Sequence, residues 1–190
     1  MTIKEIVRRA RSVRRFDNSK RISREALVSM VDTAHYAPSA RNGQTLKFVI
    51  VDSEQECEAL YPSLRWAGYL TEWDGPVESE RPVAYIAVVH DKTLGAYNAV
   101  DAGLWTQCIV LEAAEKGYGT CIIAAMDRSS AVRALSLDTE RYELIHIVAL
   151  GVPKESVVID EMVDGGIKYW RDEAMVHHVP KRRTEDIIVR

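Results

Sequence analysis

Seven apolar residues follow one another in the stretch Val83-Ala84-Tyr85-Ile86-Ala87-Val88-Val89. A run without alternating polar positions is typical of a strand covered on both faces, so this stretch predicts the centre of a sheet. Further apolar runs predict neighbouring strands at residues 46–51, 121–124 and 144–150, and a strand-like run ends the chain at 187–189. The fold is therefore expected to grow outward from one fully buried strand.

Helices are predicted between these strands. The longest extends from Tyr97 to Lys116 and is apolar almost all round, which favours a central position that a partner subunit shares. Gly117 follows it, as glycine commonly follows a helix. Shorter helices are expected after the capping residues Thr2, Ser23 and Ser53, the second of them from Arg24 to about His35, and another around residues 129–135. Helices packed on a sheet in this order indicate an α+β fold.

Length and composition limit the function classes. With 190 residues, 47% of them hydrophobic, the chain can form one domain spanning 1–190. Its three cysteines lack metal-ligand spacing, which indicates reduced thiols in a cytoplasmic protein without a metal site. His177 and His178 also lack that spacing and are expected to be structural or surface residues. No run approaches the roughly 20 apolar residues of a membrane span, and a pI near 6.0 disfavours nucleic-acid binding.

Positive charge is concentrated at the two ends of the chain. Residues 1–24 contain nine Lys or Arg side chains and two carboxylates, whereas the whole chain has a net charge of −3. The arginines cluster in residues 8–15, and a second basic group stands at 181–183. Taken singly, such groups are usually a solvated helix face and a soluble tail. Taken together, they predict a phosphate-bearing ligand held between the two ends.

Five blocks of sequence resemble, in order, those of the FMN-dependent nitroreductase family. They are Arg11-Ser12-Val13-Arg14-Arg15-Phe16, residues 37–44, residues 101–104 with 117–121, residues 150–154, and Val179-Pro180-Lys181-Arg182. Each block is weak alone, but their order and spacing span nearly the whole chain. The resemblance implies a central mixed sheet of four to five strands flanked by helices. It also implies a domain-swapped homodimer in which the tail, residues 152–190, wraps the partner subunit.

The same resemblance implies two FMN sites at the subunit interface. There Arg11, Lys181 and Arg182 would neutralise the dianionic phosphate, and Ser12 would donate to the phosphate or the ribityl chain. Arg14 would lie at the N1/C2=O edge of the flavin and favour its reduced form. The other implied contacts come from the loop after the second helix and from a position where the family has glycine: Pro38, Ser39, Ala40, Asn42, Gln44 and Ala124.

The activity that the resemblance implies is electron transfer from NADH or NADPH through FMN to a small-molecule acceptor, such as a nitroaromatic or a quinone. It would follow a ping-pong scheme, and no side chain is expected to be catalytic because the flavin carries the chemistry. Two alternatives stay open. The same scaffold serves other flavin chemistry, including reductive dehalogenation, flavin breakdown and dehydrogenation. A non-catalytic, flavin-binding redox sensor would use the same cofactor contacts.

Residues 62–82 are interrupted by proline and glycine and lie in an acidic part of the chain. Long irregular segments of this kind are often functional lids. The segment contains Trp66, Tyr69 and Trp73. These rings would either cover the flavin or anchor this lid, residues 62–82, to the core. Anchoring is the favoured interpretation.

Overall fold

A computed structural model describes residues 1–190. Its helices are α1 (Ile3–Arg9), α2 (Arg24–His35), α3 (Glu54–Leu60), α4 (Ala99–Glu115) and α5 (Arg128–Ala134). Its strands are β1 (Leu46–Val51), β2 (Ala84–Asp91), β3 (Gly119–Ile123), β4 (Tyr142–Gly151), β5 (Val157–Glu161), β6 (Trp170–Arg171) and β7 (His177–Lys181). The predicted caps are confirmed, because the side chains of Thr2, Ser23 and Ser53 each accept a hydrogen bond from the backbone N–H three residues later.

The main sheet contains four strands in the order β1-β2-β4-β3. Every residue of β2 is buried, as predicted for an apolar run covered on both faces. The α+β fold is confirmed, but all three strand pairs of this sheet are antiparallel, which corrects the expected mixed pairing. Apolar runs locate strands, whereas strand direction depends on the path of the connections between them. Parallel pairing occurs instead between β5 and β7, in a second sheet of order β5-β7-β6.

Helices cover both faces of the main sheet. On one face, α2 and α4 close a buried cluster that includes Leu27, Met30, Trp105 and Ile109. On the other face, α3 and α5 close a second cluster that includes Cys57, Leu60 and Ala131. The central position predicted for α4 is therefore confirmed. None of the helices combines the length and hydrophobicity that crossing a bilayer requires.

The end of the chain differs from its prediction. Residues 187–189 form no strand and follow a single 3-10 turn at Thr184–Asp186. In the single chain, Ile187 is 64% exposed, Ile188 60% and Val189 93%. Three consecutive β-branched residues have high strand propensity, but a strand also needs an edge to pair with. In the single chain these residues pair with neither β5 nor β6, the outer strands of the second sheet.

The arginine-rich opening segment, residues 8–16, runs from the end of α1 across the end of the main sheet. The Val13 N–H donates to the backbone of β3 at 2.8 Å. Two glycines make room for this crossing. A Cβ atom on Gly119 would lie 2.9 Å from the side chain of Val13, and one on Gly151 would lie 2.7 Å from the ring of Phe16. The glycines therefore determine how closely the opening segment approaches the sheet.

Gly151→Ala is expected to lower the free energy of unfolding by roughly 1–3 kcal/mol, because the added methyl group must displace the buried Phe16 ring. Urea unfolding followed by circular dichroism measures this change. Gly68→Ala is the control, since a Cβ there would meet nothing within 4 Å. Equal unfolding midpoints for the two variants would show that the close contact at Gly151 does not constrain the fold.

Candidate functional site

The first arginines of the opening segment have no carboxylate partners. Later arginines form salt bridges with carboxylates: Arg15 with Glu80, Arg21 with Glu54, and Arg24 with Asp52. The structure has no salt bridge, within a 4.0 Å limit, for the four that precede them: Arg8, Arg9, Arg11 and Arg14. Because like charges repel one another in this arrangement, residues 8–14 favour binding of an anion.

Arg11 is half-buried and only partly satisfied. Its Nη2 donates to the carbonyl oxygen of Val7 at 2.8 Å, while its Nε is buried and lacks a hydrogen-bond partner. Burial lowers the pKa of the guanidinium from 12.5. A buried donor without a partner is costly, since it has lost its contacts with water. A phosphate oxygen is a strong acceptor for such a group.

Arg14 is held by the tail of the same chain. Its Nη1 lies 3.3 Å from the carbonyl oxygen of Ser12 and 3.1 Å from Nε2 of His177. The Tyr169 ring lies beneath the guanidinium, with its centroid 4.8 Å from Cζ. Glu155 is close by, but it accepts from the backbone N–H of Arg14 and from Nη2 of Arg171, the latter at 2.9 Å. The charge of Arg14 therefore has no direct carboxylate partner.

His177 is fully buried at the start of β7. Burial and then the positive charges of Arg14, Arg171 and His178 lower its pKa from 6.5 to about 4. The imidazole is therefore neutral at neutral pH. Since the guanidinium of Arg14 can only donate, Nε2 of His177 accepts and Nδ1 carries the proton, which has no hydrogen-bond partner. The structure places this histidine in the interior, in agreement with a structural rather than a surface position.

His177→Gln is expected to make the protein less sensitive to acid. The unfolded chain protonates His177 below about pH 6.5, whereas the folded chain resists protonation until about pH 4. Stability is therefore lost as pH falls through this window, by up to about 3 kcal/mol. Urea unfolding at pH 7 and pH 4.5 tests this, and the variant should lose less stability than the wild type. His178, whose pKa is raised by Asp160 and Asp172, contributes with the opposite sign, so His178→Gln is the control.

Asp101, in the first turn of α4, organises the loop that follows α2. Its carboxylate accepts from the Ser39 hydroxyl at 2.7 Å and from the Ala40 N–H at 3.0 Å. The Ser39 oxygen in turn accepts from the Gln44 N–H at 2.9 Å. Three loop residues have positive φ angles: Arg41 at 54°, Asn42 at 54° and Gln44 at 48°. A buried side chain of α4 therefore holds this loop in an otherwise unfavourable backbone conformation.

The tail cations, Lys181 and Arg182, have different surroundings from Arg11 within one chain. Lys181 and Arg182 are exposed at the end of β7, and neither forms a salt bridge. Arg182 lines a surface cavity of about 610 Å³ whose acidic residues are Glu161, Asp164 and Asp186. Arg11 is not part of that cavity. The contact between the two ends is made by Arg14 and His177 instead, so the convergence of Arg11 with Lys181 and Arg182 stays a prediction about the assembled protein.

The aromatic residues of the lid anchor it to the rest of the chain. The Arg171 guanidinium lies 4.1 Å from the centroid of the Trp73 ring. The Tyr69 and Tyr169 rings are 5.0 Å apart. Trp66 packs against the core cluster beneath α3 and α5. These contacts favour the anchoring interpretation for residues 62–82.

The lid also meets the end of β3. The Arg65 N–H donates to the carbonyl oxygen of Ala125 at 3.0 Å, and Leu64 forms a bridge with Met126. Ala124, the exposed residue that directly follows β3, therefore lies beside the first part of the lid. The sequence shows this neighbourhood only indirectly, because the two segments are about sixty residues apart.

The sequence matches the model of the nitroreductase family over residues 7–152. The chain belongs to the nitroreductase family. This match includes the opening segment, the loop held by Asp101, and the glycines against which Val13 and Phe16 pack. It ends at residue 152, before the second sheet.

Several known proteins are similar to this chain in sequence or in fold. The provisionally named NAD(P)H nitroreductase YdgI of Bacillus subtilis is 26% identical over 180 residues, covering 77% of this chain and 86% of its own. A provisionally named nitroreductase from Desulfovibrio desulfuricans, solved with FMN, has a TM-score of 0.71 at 21% identity, covering 100% of this chain and 96% of that one. CLA-ER, an enone reductase of gut-bacterial fatty acid metabolism, has a TM-score of 0.69 at 19% identity, covering 85% and 93%.

The sequence does not indicate the roles of two residues in this nitroreductase-family site. Asp101 lies in a family-like block, but its contacts with Ser39 and Ala40 span about sixty residues. The only local signal is that Asp101 is an acidic residue in the first turn of α4. Acidic residues at this position are common because they stabilise the helix itself, so the signal does not indicate a contact with the loop. His177 contacts Arg14 across 163 residues, and no local pattern indicates that pairing.

Proposed function

We propose that this protein is an FMN-dependent oxidoreductase that moves electrons from NADH or NADPH to a small-molecule acceptor such as a nitroaromatic or a quinone. The observation that carries the proposal is the pair of guanidinium groups, Arg11 and Arg14, left without carboxylate partners in a nitroreductase-family fold. The names of the B. subtilis relative and the FMN complex of the D. desulfuricans protein favour the same donor and cofactor.

The residues of the opening segment fit an FMN phosphate. The buried Nε of Arg11 lacks an acceptor, and the exposed hydroxyl of Ser12 lies one residue further on. Lys181 and Arg182 are exposed cations, and in the assembled protein they would contact the same dianion. Charge-assisted hydrogen bonds to phosphate are among the stronger polar contacts in proteins, so these residues would provide much of the cofactor affinity.

The remaining cofactor contacts would come from a second copy of the chain. We propose a homodimer in which the loop of one subunit, with Pro38, Ser39, Ala40, Asn42 and Gln44, faces the opening segment of the other. The exposed apolar side chains of α4 and of the chain end favour this assembly: Val100, Leu104, Ile187, Ile188 and Val189. Sedimentation velocity tests it, and a monomer at micromolar concentration would contradict it.

In this proposal the protein supplies binding and electrostatics. When bound, FMN supplies the redox chemistry, which is hydride acceptance from the nicotinamide and electron delivery to the acceptor. Arg14 would place a fixed positive charge at the N1/C2=O edge, where reduction adds negative charge. Ala124 would pack beside the ring. No side chain of the protein is assigned a proton transfer.

An anaerobic titration tests the proposed activity. Addition of NADH or NADPH should bleach the yellow holoprotein, and the preferred donor should do so stoichiometrically. Steady-state rates with a nitroaromatic or quinone acceptor should then give parallel double-reciprocal lines, as a ping-pong scheme requires. Intersecting lines would contradict the scheme. A yellow protein that neither donor bleaches would instead favour the redox sensor.

Other flavin chemistry on the same scaffold is the second candidate. The observation that favours it is the fold shared with CLA-ER, which reduces enones. A fold does not determine the acceptor, because substrate choice depends on the residues around the cofactor. A panel of nitroaromatics, quinones, enones and halogenated aromatics, offered to the reduced holoprotein under anaerobic conditions, distinguishes the two candidates.

A further inference from the structure

We infer that His177 is a positioning residue that holds the Arg14 guanidinium toward the FMN cofactor without cancelling its charge. The inference rests on the proposed function and adds a residue to it. It begins from the 3.1 Å contact between Nη1 of Arg14 and Nε2 of His177. The His177 side chain is fully buried. The Tyr169 ring completes the support, lying 4.8 Å from Cζ of Arg14 and 5.1 Å from the His177 ring.

The chemical type of the acceptor matters, because either a carboxylate or a neutral group can hold a guanidinium in one orientation. A carboxylate would orient Arg14 and also neutralise it, leaving little net charge for a ligand. A neutral imidazole accepts one hydrogen bond and leaves the positive charge unopposed. His177 is neutral at neutral pH, since burial and its cationic neighbours lower its pKa to about 4.

Glu155 contacts the backbone of Arg14, but its carboxylate is engaged by groups other than the Arg14 guanidinium. The carboxylate of Glu155 is fully buried, and it pairs with Arg171 at 2.9 Å. It also accepts from the backbone N–H of Arg14, so both of its oxygens are engaged. Glu155 therefore fixes the backbone at Arg14 while His177 fixes the side chain. The guanidinium of Arg14 therefore forms no salt bridge within 4.0 Å.

The consequence concerns the balance between oxidised and reduced flavin. A cation held in one orientation stabilises the negative charge that reduction adds, whereas a mobile side chain in solvent is screened. Loss of the His177 acceptor would free the Arg14 side chain to move in both redox states, and this movement weakens the attraction that only the reduced flavin makes. We therefore expect a roughly tenfold weaker preference for reduced over oxidised FMN, which is about 30 mV for a two-electron couple.

The test measures the flavin midpoint potential of the holoprotein in three variants. His177→Phe keeps a ring but removes the acceptor, and its potential should fall by the stated amount. His177→Gln keeps an acceptor for Nη1 and should remain near the wild-type value. His178→Gln is the control, because His178 contacts Asp160 and Asp172 rather than Arg14, and it should not change the potential.

An unchanged potential in His177→Phe, with FMN bound normally, would overturn this inference alone. Absence of FMN from the wild-type protein would overturn the proposed function and this inference with it. Should His177→Phe fail to fold, His177→Glu gives the second measurement. A carboxylate beside Arg14 should lower the potential, and an unchanged value would again overturn the inference.

Discussion

Arg11→Ala is expected to weaken FMN binding roughly tenfold to a hundredfold. The guanidinium has a buried Nε without a partner, and a phosphate oxygen would satisfy it. A hydrogen bond to a charged group contributes about 1.5–3 kcal/mol, which corresponds to this range in the dissociation constant. Fluorescence titration of the apoprotein with FMN measures the effect, because flavin emission is quenched on binding to most flavoproteins.

The matched control for this prediction is Arg8→Ala. It removes the same charge from an exposed position in the last turn of α1, and Arg8 likewise forms no salt bridge. FMN affinity should change less than threefold there, since an exposed cation contributes little to binding when salt screens it. Equal losses in the two variants would mean that the opening segment acts through its total charge, and the specific role of Arg11 would be wrong.

Asp101→Ala is expected to have the second largest effect, because it removes the acceptor for two contacts of the Pro38–Gln44 loop. The Ser39 hydroxyl and the Ala40 N–H would lose their partner in a place where Asp101 itself is only 6% exposed. Each unsatisfied group costs about 1–3 kcal/mol. We therefore expect a lower melting temperature together with loss of bound FMN during gel filtration.

Asp101→Asn is the matched control, since its amide oxygen still accepts one of the two hydrogen bonds. It should be intermediate in both stability and FMN retention. Normal FMN retention by the Asp101→Ala protein would show that Asp101 stabilises only the start of α4. In that case the contribution of the loop to the cofactor site would need another explanation.

Local signals in the sequence predicted most of the fold. The caps at Thr2, Ser23 and Ser53 lie where helices begin, because a hydroxyl that accepts from the third N–H acts within one turn. The fully apolar run at 83–89 is the buried strand β2. These features depend on neighbouring residues alone, so pattern and propensity are sufficient to locate them.

Features that depend on distant residues could not be predicted in this way. The antiparallel order of the main sheet follows from how the chain returns to it. The apolar end at 187–189 has strand propensity but pairs with no strand within the single chain. Within the candidate site, Asp101 and His177 act on groups about 60 and 163 residues away, which local patterns do not encode. The family resemblance indicated the cofactor, whereas the structure was needed to identify these supporting residues.

The most direct test of the account compares FMN with riboflavin, since the two differ only in the phosphate. Isothermal titration of the wild-type apoprotein with each flavin gives the two dissociation constants. If the cations of the opening segment bind the phosphate, FMN should bind about a hundredfold more tightly than riboflavin. Equal dissociation constants would contradict the account, because the arginines would then have no part in holding the cofactor.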